Sequence, residues 1–369
     1  MIHSRTVGRD DRCGRLSFRF APCLALALTV ALIGAPLPAQ QYRDPGDQPF
    51  SARSVWNTPI GRGAVYDAPD SPESRLLHTD DAGGRAGSYP WIGHDAIGLY
   101  TAKSSDPVRR WSYDVRATSA PMWRGGPPIL KGSVDLHTPV DIRFLGGTDK
   151  HAVLIDPEHR FAYEVWLGEA KGEGYHAAYL VRTDLRGSGI SLVDGQSQGI
   201  RAFGGSLAGG LIRCRELANG DIPHALAVLL SNDQLRKGST MFQQKVWPAS
   251  FTDEGGRNGY AGRVPMGGLL AIPADVDIDA LPLTREGKVL ARAYQRFGGY
   301  VVDRTSKTMT LATLEQGCDK TAIDHLFADR RTIRDRLVRV LNNSPRHVGG
   351  PGERIAKAPP PLAPERSGE

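Results

Sequence analysis

Between Phe50 and Arg213 no segment sustains a helical repeat of apolar residues for three turns, and this restricts the fold more than any other feature of the chain. The texture is short apolar clusters cut by glycine and proline, as in SVWNTPI (54–60), YPWIGHDAIGLYTA (89–102), WSYDVRA (111–117) and PMWRGGPPIL (121–130). An α/β chain would alternate its strands with helices of ten or more residues. Many short strands with Gly/Pro turns point instead to an all-β sandwich or barrel. The expectation is a mostly β fold: an antiparallel, jelly-roll-like β-sandwich with two peripheral C-terminal helices. The first helix spans 283–297, capped by Thr284, striped by Val289, Leu290, Ala293, Tyr294 and Phe297, and closed by Gly298. The second runs over about 329–342, with Ile333, Leu337 and Val340 inward. Between them, 299–303 and 308–313 read as a hairpin.

Both ends fall outside the expected domain. Arg5, Arg9, Arg12, Arg15 and Arg19 precede an apolar run over 21–35 and a small residue, Ala39, at a cleavage position, so 1–39 reads as a signal peptide. The run is too short for a membrane span, which predicts no stable insertion after cleavage and a secreted (periplasmic or extracellular) protein. Residues 40–49 read as a linker, 50–342 as a single β-rich domain, and the Pro/Gly-rich 343–369 as a disordered tail. Losing five arginines and two aspartates with the leader lowers the formal net charge from +6 to +3. No Lys/Arg run is interleaved with aromatics, which argues against nucleic acid as a partner. Cys214 and Cys318 have no metal-site spacing, so no metal or cofactor is expected. The two are equally readable as a disulfide or as separate thiols.

The chemistry concentrates in 200–230, IRAFGGSLAGGLIRCRELANGDIPHALAVLL. Period-2 reading of 222–230 gives a strand apolar on both faces and therefore covered on both sides. His224 is the one polar side chain at its level. A buried imidazole needs partners for its ring nitrogens, and Arg213 and Glu216 are near in sequence. Residues 213–217, followed by Asn219-Gly220, read as a single helical turn ended by glycine. The glycines of 204–210 lack a phosphate-loop ending and read as sites of tight backbone approach. Residues 151–166 (HAVLIDPEHRFAYEVW) form the clearest hairpin, turning at Asp156-Pro157-Glu158-His159. With an even loop, His151 and Glu164 share a face, and a four-residue loop sets Val153 opposite Glu164. Residues 241–262, long, polar and dotted with aromatics, read as a functional loop.

The phrases PFSARSVWNTPI, DKHAVLIDPEHRFAYEVW, GGLIRCREL…GDIPHALAV, VPMGGLLAI and FGGYVVD, in that order over about Phe50–Asp303, resemble a family of secreted, β-rich bacterial and fungal proteins. These often occur with carbohydrate-active modules. The resemblance implies an exported, glycan-directed protein and brings no catalytic residue with it. A weaker similarity is to jelly-roll polysaccharide lyases and glucanases, from which the chain departs by lacking the E-x-D-x-x-E, R-x-E-x-R and YFKAG strings.

The expected function is polysaccharide or oligosaccharide cleavage of the lyase or glycoside hydrolase type. The alternative is a glycan-binding module without chemistry. A uronate lyase needs a base, an acid for the leaving oxygen and a cation for the carboxylate. His151 or His224, Tyr300 and Arg213 are the candidates in those roles. A glycosidase needs two carboxylates about 5–9 Å apart, drawn from Glu164, Asp149, Asp156 and Asp303. Trp91, Trp123, Trp247 and Tyr260 are candidate sugar platforms, although aromatics in a secreted β protein more often serve core or sheet-face packing. Burying His151, Glu164, Arg213 and His224 is costly unless they satisfy one another or a ligand, so they are expected to converge beside the 241–262 loop.

Overall fold

The hairpin at residues 151–166 forms as its turn dictates. The structure, a computed structural model, describes Gly14 and residues 41–365 apart from 81–88, 93–95, 115–130, 146, 193–196, 254–258 and 306–307. Asp156 Oδ1 accepts the backbone N–H of Arg160 (2.7 Å) and of Phe161 (3.0 Å), and His159 takes the left-handed φ of 54° that closes the loop. The flanking strands, Ala152–Ile155 and Phe161–Trp166, then pair with Val153 opposite Glu164. This is the four-residue-loop register, with His151 one step beyond the pairing on the Glu164 face.

Numbered in chain order, the strands are β1 Tyr89–Ile92, β2 Gly98–Thr101, β3 Val108–Asp114, β4 Lys131–His137, β5 Ala152–Ile155, β6 Phe161–Trp166 and β7 Glu169–Lys171. They continue as β8 Gly174–Ala177, β9 Tyr179–Asp184, β10 Leu226–Ser231, β11 Leu269–Ala271, β12 Gly299–Thr305, β13 Thr308–Ala312 and β14 Val338–Arg339. The helices are α1 Pro72–His78, α2 Cys214–Asn219, α3 Met241–Gln244, α4 Arg285–Arg296 and α5 Lys320–Arg334. The fold is mostly β, as expected, but the strands form three mixed sheets rather than two antiparallel ones. Their orders are β1-β13-β10-β12-β11-β14, β2-β5-β6-β9 and β4-β3-β8-β7. Parallel pairs occur in all three: β10 with β12, β2 with β5, and β3 with β8.

The middle sheet works on both faces because its side chains alternate. Ala152, Leu154, Val165 and Leu180 join Trp111, Tyr113 and Leu136 of the third sheet in a small core. Val153, Ile155 and Ala162 point the other way, into the large core that also covers the six-stranded sheet. All of β10 is buried, the two-sided burial its sequence predicts. His224, however, precedes the strand instead of sitting in it. The expected 299–313 hairpin is also replaced: β10 lies between β12 and β13, parallel to one and antiparallel to the other. A strand apolar on both faces is better covered by two neighbours than left at an edge.

Helix α4 forms where its pattern says, with the Thr284 hydroxyl accepting the Gly287 N–H at 3.1 Å. It lies on the connection between the parallel strands β10 and β12, and its Tyr294 hydroxyl donates to the Leu311 carbonyl of β13. The second helix falls earlier than the expected 329–342, because Asp319 caps it by accepting the Ala322 N–H (3.0 Å). Leu337 and Val340 are buried beyond its end, around β14. Asp329 of α5 accepts both the N–H and the hydroxyl of Thr284, at 2.8 and 2.5 Å. A Cβ at Gly287 would come within 1.9 Å of that carboxylate, so only glycine lets the two helices meet there. Among the described residues, no helix is long and apolar enough to cross a membrane.

The linker and tail assignments need correcting, since both segments are packed. Arg43 is buried, and its backbone N–H donates to Pro361 (3.0 Å) while Ala363 N–H donates back (2.9 Å). Gly61, Arg62 and Gly63 donate to the carbonyls of Gly349, Glu353 and Pro351. Val348 and Ile355 pack against the large core. Proline and glycine here give extended backbone held by hydrogen bonds to another segment, an outcome composition does not distinguish from disorder. Truncation after Asn343 should therefore lower the urea midpoint of unfolding by an amount worth several hydrogen bonds, about 2–5 kcal/mol. A disordered tail would leave the midpoint unchanged.

Candidate functional site

Glu164 is completely buried on β6, and its two oxygens are taken by donors. Oε1 receives the hydroxyls of Ser206 and Thr183. The Thr183 oxygen lies closer to it (2.8 Å) than to the Gln198 carbonyl (3.1 Å). Oε2 receives the backbone N–H groups of Leu207 (2.8 Å) and Ile200 (3.1 Å). Burial pushes this carboxyl above its ordinary range, and the four donors oppose that rise. With its lone pairs committed, Glu164 is a clamp on the 200–207 loop rather than a group that faces a substrate.

The clamp positions Arg201. Its loop closes by Gly204 N–H donating to the Arg201 carbonyl (2.9 Å), with Gly204 at φ 91°. The Phe203 N–H then donates to Val302 of β12 (2.9 Å), while the Phe203 carbonyl receives Ser250 N–H (2.9 Å). Three segments thus meet: the 200–207 loop, the carboxyl end of β12 and the 241–262 loop. Arg201 is 2 % exposed, and its guanidinium makes no hydrogen bond with the described residues. Its nearest acid is Asp303, with Nη1 to Oδ2 at 3.5 Å. The Arg201 charge also acts on His151, which is buried and whose Nδ1 has no hydrogen-bond partner among the described residues. Burial, and then the Arg201 charge, bring the imidazole down to about 3, so it is neutral at ordinary pH.

From Asp303 the cluster continues outward. Tyr260, buried, donates its hydroxyl to Asp253 Oδ2 (3.1 Å), and Asp253 also pairs with Arg304 (3.4 Å). Burial, reinforced by Asp253 and Asp303, pushes the phenol well above its ordinary value, so it keeps its proton. Exposure rises along the series: the Arg201 side chain is 1 % accessible, Asp303 20 % and Arg304 40 %. The Arg201 guanidinium nitrogens and His151 Nδ1 are themselves sealed from solvent, and exposure is reached at Asp303 and Arg304 of β12. Beside the cluster, Trp166 and Tyr179 stack at 5.2 Å and 29°. They are paired across β6 and β9, and Ile200, the neighbour of Arg201, packs against them.

The expected convergence of His151, Glu164, Arg213 and His224 divides into two groups. His151 and Glu164 are joined through the 200–201 segment. Arg213 and His224 meet at Glu216 of α2. Glu216 Oε2 accepts the Arg213 N–H (2.7 Å) and lies 3.1 Å from His224 Nε2, and His224 Nδ1 lies 2.8 Å from the Ala225 carbonyl. Both ring nitrogens face acceptors, which fits an imidazolium. Burial alone would lower the His224 pKa, but the Glu216 charge and these acceptors outweigh it and raise the value. Burial likewise lowers the Arg213 pKa, opposed by Glu216 and Glu315. The adjacent Cys214 forms a disulfide with Cys318, and Glu315 accepts the Cys214 N–H (3.0 Å). This is a cross-linked support, in which Nη1 and Nη2 of Arg213 are buried without a hydrogen-bond partner among the described residues.

Tyr300 is buried edge-on against Trp56, at a centroid distance of 5.8 Å, a packing role that removes it from the acid position. Trp247 is partly buried against the large core. Trp123 and the Trp91 side chain lie outside the described residues. Asp149 and Asp156 are occupied locally, by Trp166 Nε1 and by the hairpin turn. Sequence reasoning passed over Arg201, Asp253 and Arg304. The signal for Arg201 was an arginine flanked by Ile200, Ala202 and Phe203. Among the described residues, no group of three or more His, Cys, Asp or Glu is arranged to hold a metal ion. Comparison with protein-family models, curated proteins and solved structures finds no match for this chain.

Two outcomes follow. Glu164→Gln turns an acceptor oxygen into an NH₂ that faces donors, so the free energy of unfolding by urea should fall by about 1–3 kcal/mol. Unchanged stability would contradict the clamp. As for pH, the unfolded chain protonates His151 near its ordinary value of 6.5, whereas the folded protein resists until about 3. Stability should therefore fall by roughly 1 kcal/mol per pH unit across that window. His151→Gln, which takes up no proton, should show a correspondingly shallower decline over the same window.

Proposed function

We propose that this is a secreted, glycan-directed enzyme that cleaves a polysaccharide or oligosaccharide at the cluster of His151, Arg201, Asp303 and Tyr260. The observation that carries this reading is the buried Arg201–Asp303 pair, whose charges act on an unpaired imidazole, His151, and on a phenol, Tyr260. A neutral imidazole can accept a proton and a phenol can donate one, the two transfers that glycosidic cleavage requires. The stacked Trp166–Tyr179 pair supplies an aromatic surface of the kind on which sugar rings stack. Export rests on the leader-like 1–39 segment. The sandwich-type similarity to lyases and glucanases is compatible with two sheets facing one another across the small core.

In this assignment His151 keeps its role, Tyr260 takes the acid role expected of Tyr300, and Arg201 the cationic role expected of Arg213. The test is incubation of the secreted protein with a glycan panel, reading new reducing ends together with unsaturated-uronate absorbance. Tyr260→Phe should retain the fold and lose at least about 100-fold in turnover, the usual contribution of a general acid. Binding with no new ends on any glycan would replace the enzyme by a glycan-binding module.

A further inference from the structure

The third sheet turns one face to the small core and the other to solvent, and the outer face carries chemistry that the Arg201 cluster does not use. Along β3, Trp111 and Tyr113 point into the core, so Arg110, Ser112 and Asp114 point outward. Strand β8 alternates in the same way, with Tyr175 and Ala177 inward and His176 outward. The two strands are parallel with Ser112 level with His176, and Ser112 Oγ lies 3.0 Å from His176 Nδ1. The Tyr175 carbonyl, the hydroxyl's other acceptor, is farther away at 3.3 Å. Both residues are half-buried, so the sheet fixes the pair and solvent still reaches it. Glu169 of β7, which is exposed, stands directly opposite His176. Side chains paired in this way have Cβ atoms about 4.5–5.5 Å apart. Across that gap a carboxylate can take the Nε2 proton and leave Nδ1 as the acceptor. Two cations flank Ser112. Arg110 is committed to Asp135 through hydrogen bonds of 2.9 and 3.0 Å. Lys131, diagonal to Ser112 across the β3–β4 pair, is held only loosely, 3.5 Å from Asp114 and with 78 % of its side chain exposed. Its ammonium is therefore available to a new anion.

We propose that Ser112 and His176 form a second reactive centre, a serine nucleophile with its base, that hydrolyses short-chain acyl esters. The pair has what nucleophilic catalysis needs, a hydroxyl within hydrogen-bond reach of an imidazole nitrogen that a third group can orient. Ser112 Oγ attacks the ester carbonyl carbon, and its proton passes to His176 Nδ1. The charge that develops on the carbonyl oxygen is met by Lys131. The C–O bond to the alcohol breaks, and His176 returns the proton to the departing oxygen, leaving the acyl group on Ser112. Water then attacks the acyl carbon and gives a proton to His176. Ser112 Oγ departs and takes that proton back as the acid is released. Ester and water are consumed, alcohol and acid are formed, and no other co-reactant is needed. Glu169 is a positioning residue, acting through His176. The size of the acyl group follows from the surroundings. The apolar side chains of β3 and β8 are committed to the small core, while across β3 and β4 Ser112 has Ser133, Lys131 and Asp135 beside it on the outer face. An acetyl group fits such a polar surface, and a long acyl chain gains nothing from it. This centre lies on a different sheet from His151 and Asp303 and does not depend on what their cluster does.

Two measurements on the full chain test this. In the first, the folded protein and a heat-denatured control are treated with a serine-directed fluorophosphonate, and the labelled residue is located by mass spectrometry. The expected result is a label on Ser112 of the folded protein and none on the control. A label elsewhere, equal labelling of the control, or no label overturns the proposal, and this arm needs no variant to fold. In the second, p-nitrophenyl acetate, butyrate and octanoate are offered as substrates, with acetate expected to be turned over fastest. Ser112→Ala should bring hydrolysis down to the buffer rate, and His176→Gln should lower kcat at least about 100-fold, the contribution of a general base. Both substitutions lie on the outer face, so the unfolding midpoint should be retained. Glu169→Gln should lower kcat with KM unchanged, and Glu169→Asp should recover part of the loss, a split that a merely structural role would not produce. Lys131→Gln should also lower kcat without raising KM. Hydrolysis undiminished in Ser112→Ala or His176→Gln means that another surface group attacks the ester, and this too overturns the proposal. Turnover fastest with octanoate overturns the short-chain assignment.

Discussion

The buried Glu164 carboxylate is the interaction on which the candidate site depends. A charge in that position is tolerated only because two hydroxyls and two backbone N–H groups meet it. Three of the four donors come from residues 200–207, so the cost of burying the acid is offset by fixing that loop against the middle sheet. The arrangement of the candidate site follows from that fixing. The loop sets Arg201 3.5 Å from Asp303 of β12, with its charge acting on His151, and it holds Phe203 where Val302 and Ser250 bond to it. A glutamate that appears catalytic in the sequence thus serves the site at one remove.

The two polar centres illustrate how burial sorts ionisable groups by their company. At α2 a carboxylate stands between a histidine and an arginine's backbone, a second acid is close, and the segment is cross-linked. The Glu216–His224 pair there compensates in charge, which is the arrangement of a structural centre, while the Arg213 guanidinium is met by nearby acids without hydrogen bonds. At the β12 end the cation has one distant acid, the imidazole is neutral and the phenol keeps its proton. That unevenness distinguishes the second centre, because pKa values driven apart within one cluster are what proton transfer uses.

Much of the fold was legible in local chemistry. The Asp156 turn set the hairpin register, Thr284 placed α4, and the two apolar faces of β10 announced a covered strand. What the sequence hid was non-local. Nothing near residue 305 says that β10 will enter between β12 and β13, because pairing preference is a matter of covering β10, not of the short connection that follows β12. The Pro/Gly tail reads the same whether solvated or packed, and its partners at 43 and 61–63 lie some three hundred residues away. Likewise His151 and His224 drew attention as isolated imidazoles, while Arg201 gains its meaning only when β12 and the clamped loop are brought together.

The position of β10 also has consequences for how the chain comes together. Both of its neighbours lie on its C-terminal side, the nearer beginning at Gly299 and the farther at Thr308. During synthesis this strand, apolar on both faces, emerges well before either partner exists to cover it. Nearly seventy residues of loop and helix must follow before the first ladder can close, a connection whose entropy delays pairing. Over that interval β10 has two open edges of the kind that recruit other chains. A molecule built this way depends on being shielded until its last third has been made, and its yield should respond to holdase chaperones more than its folded stability would suggest.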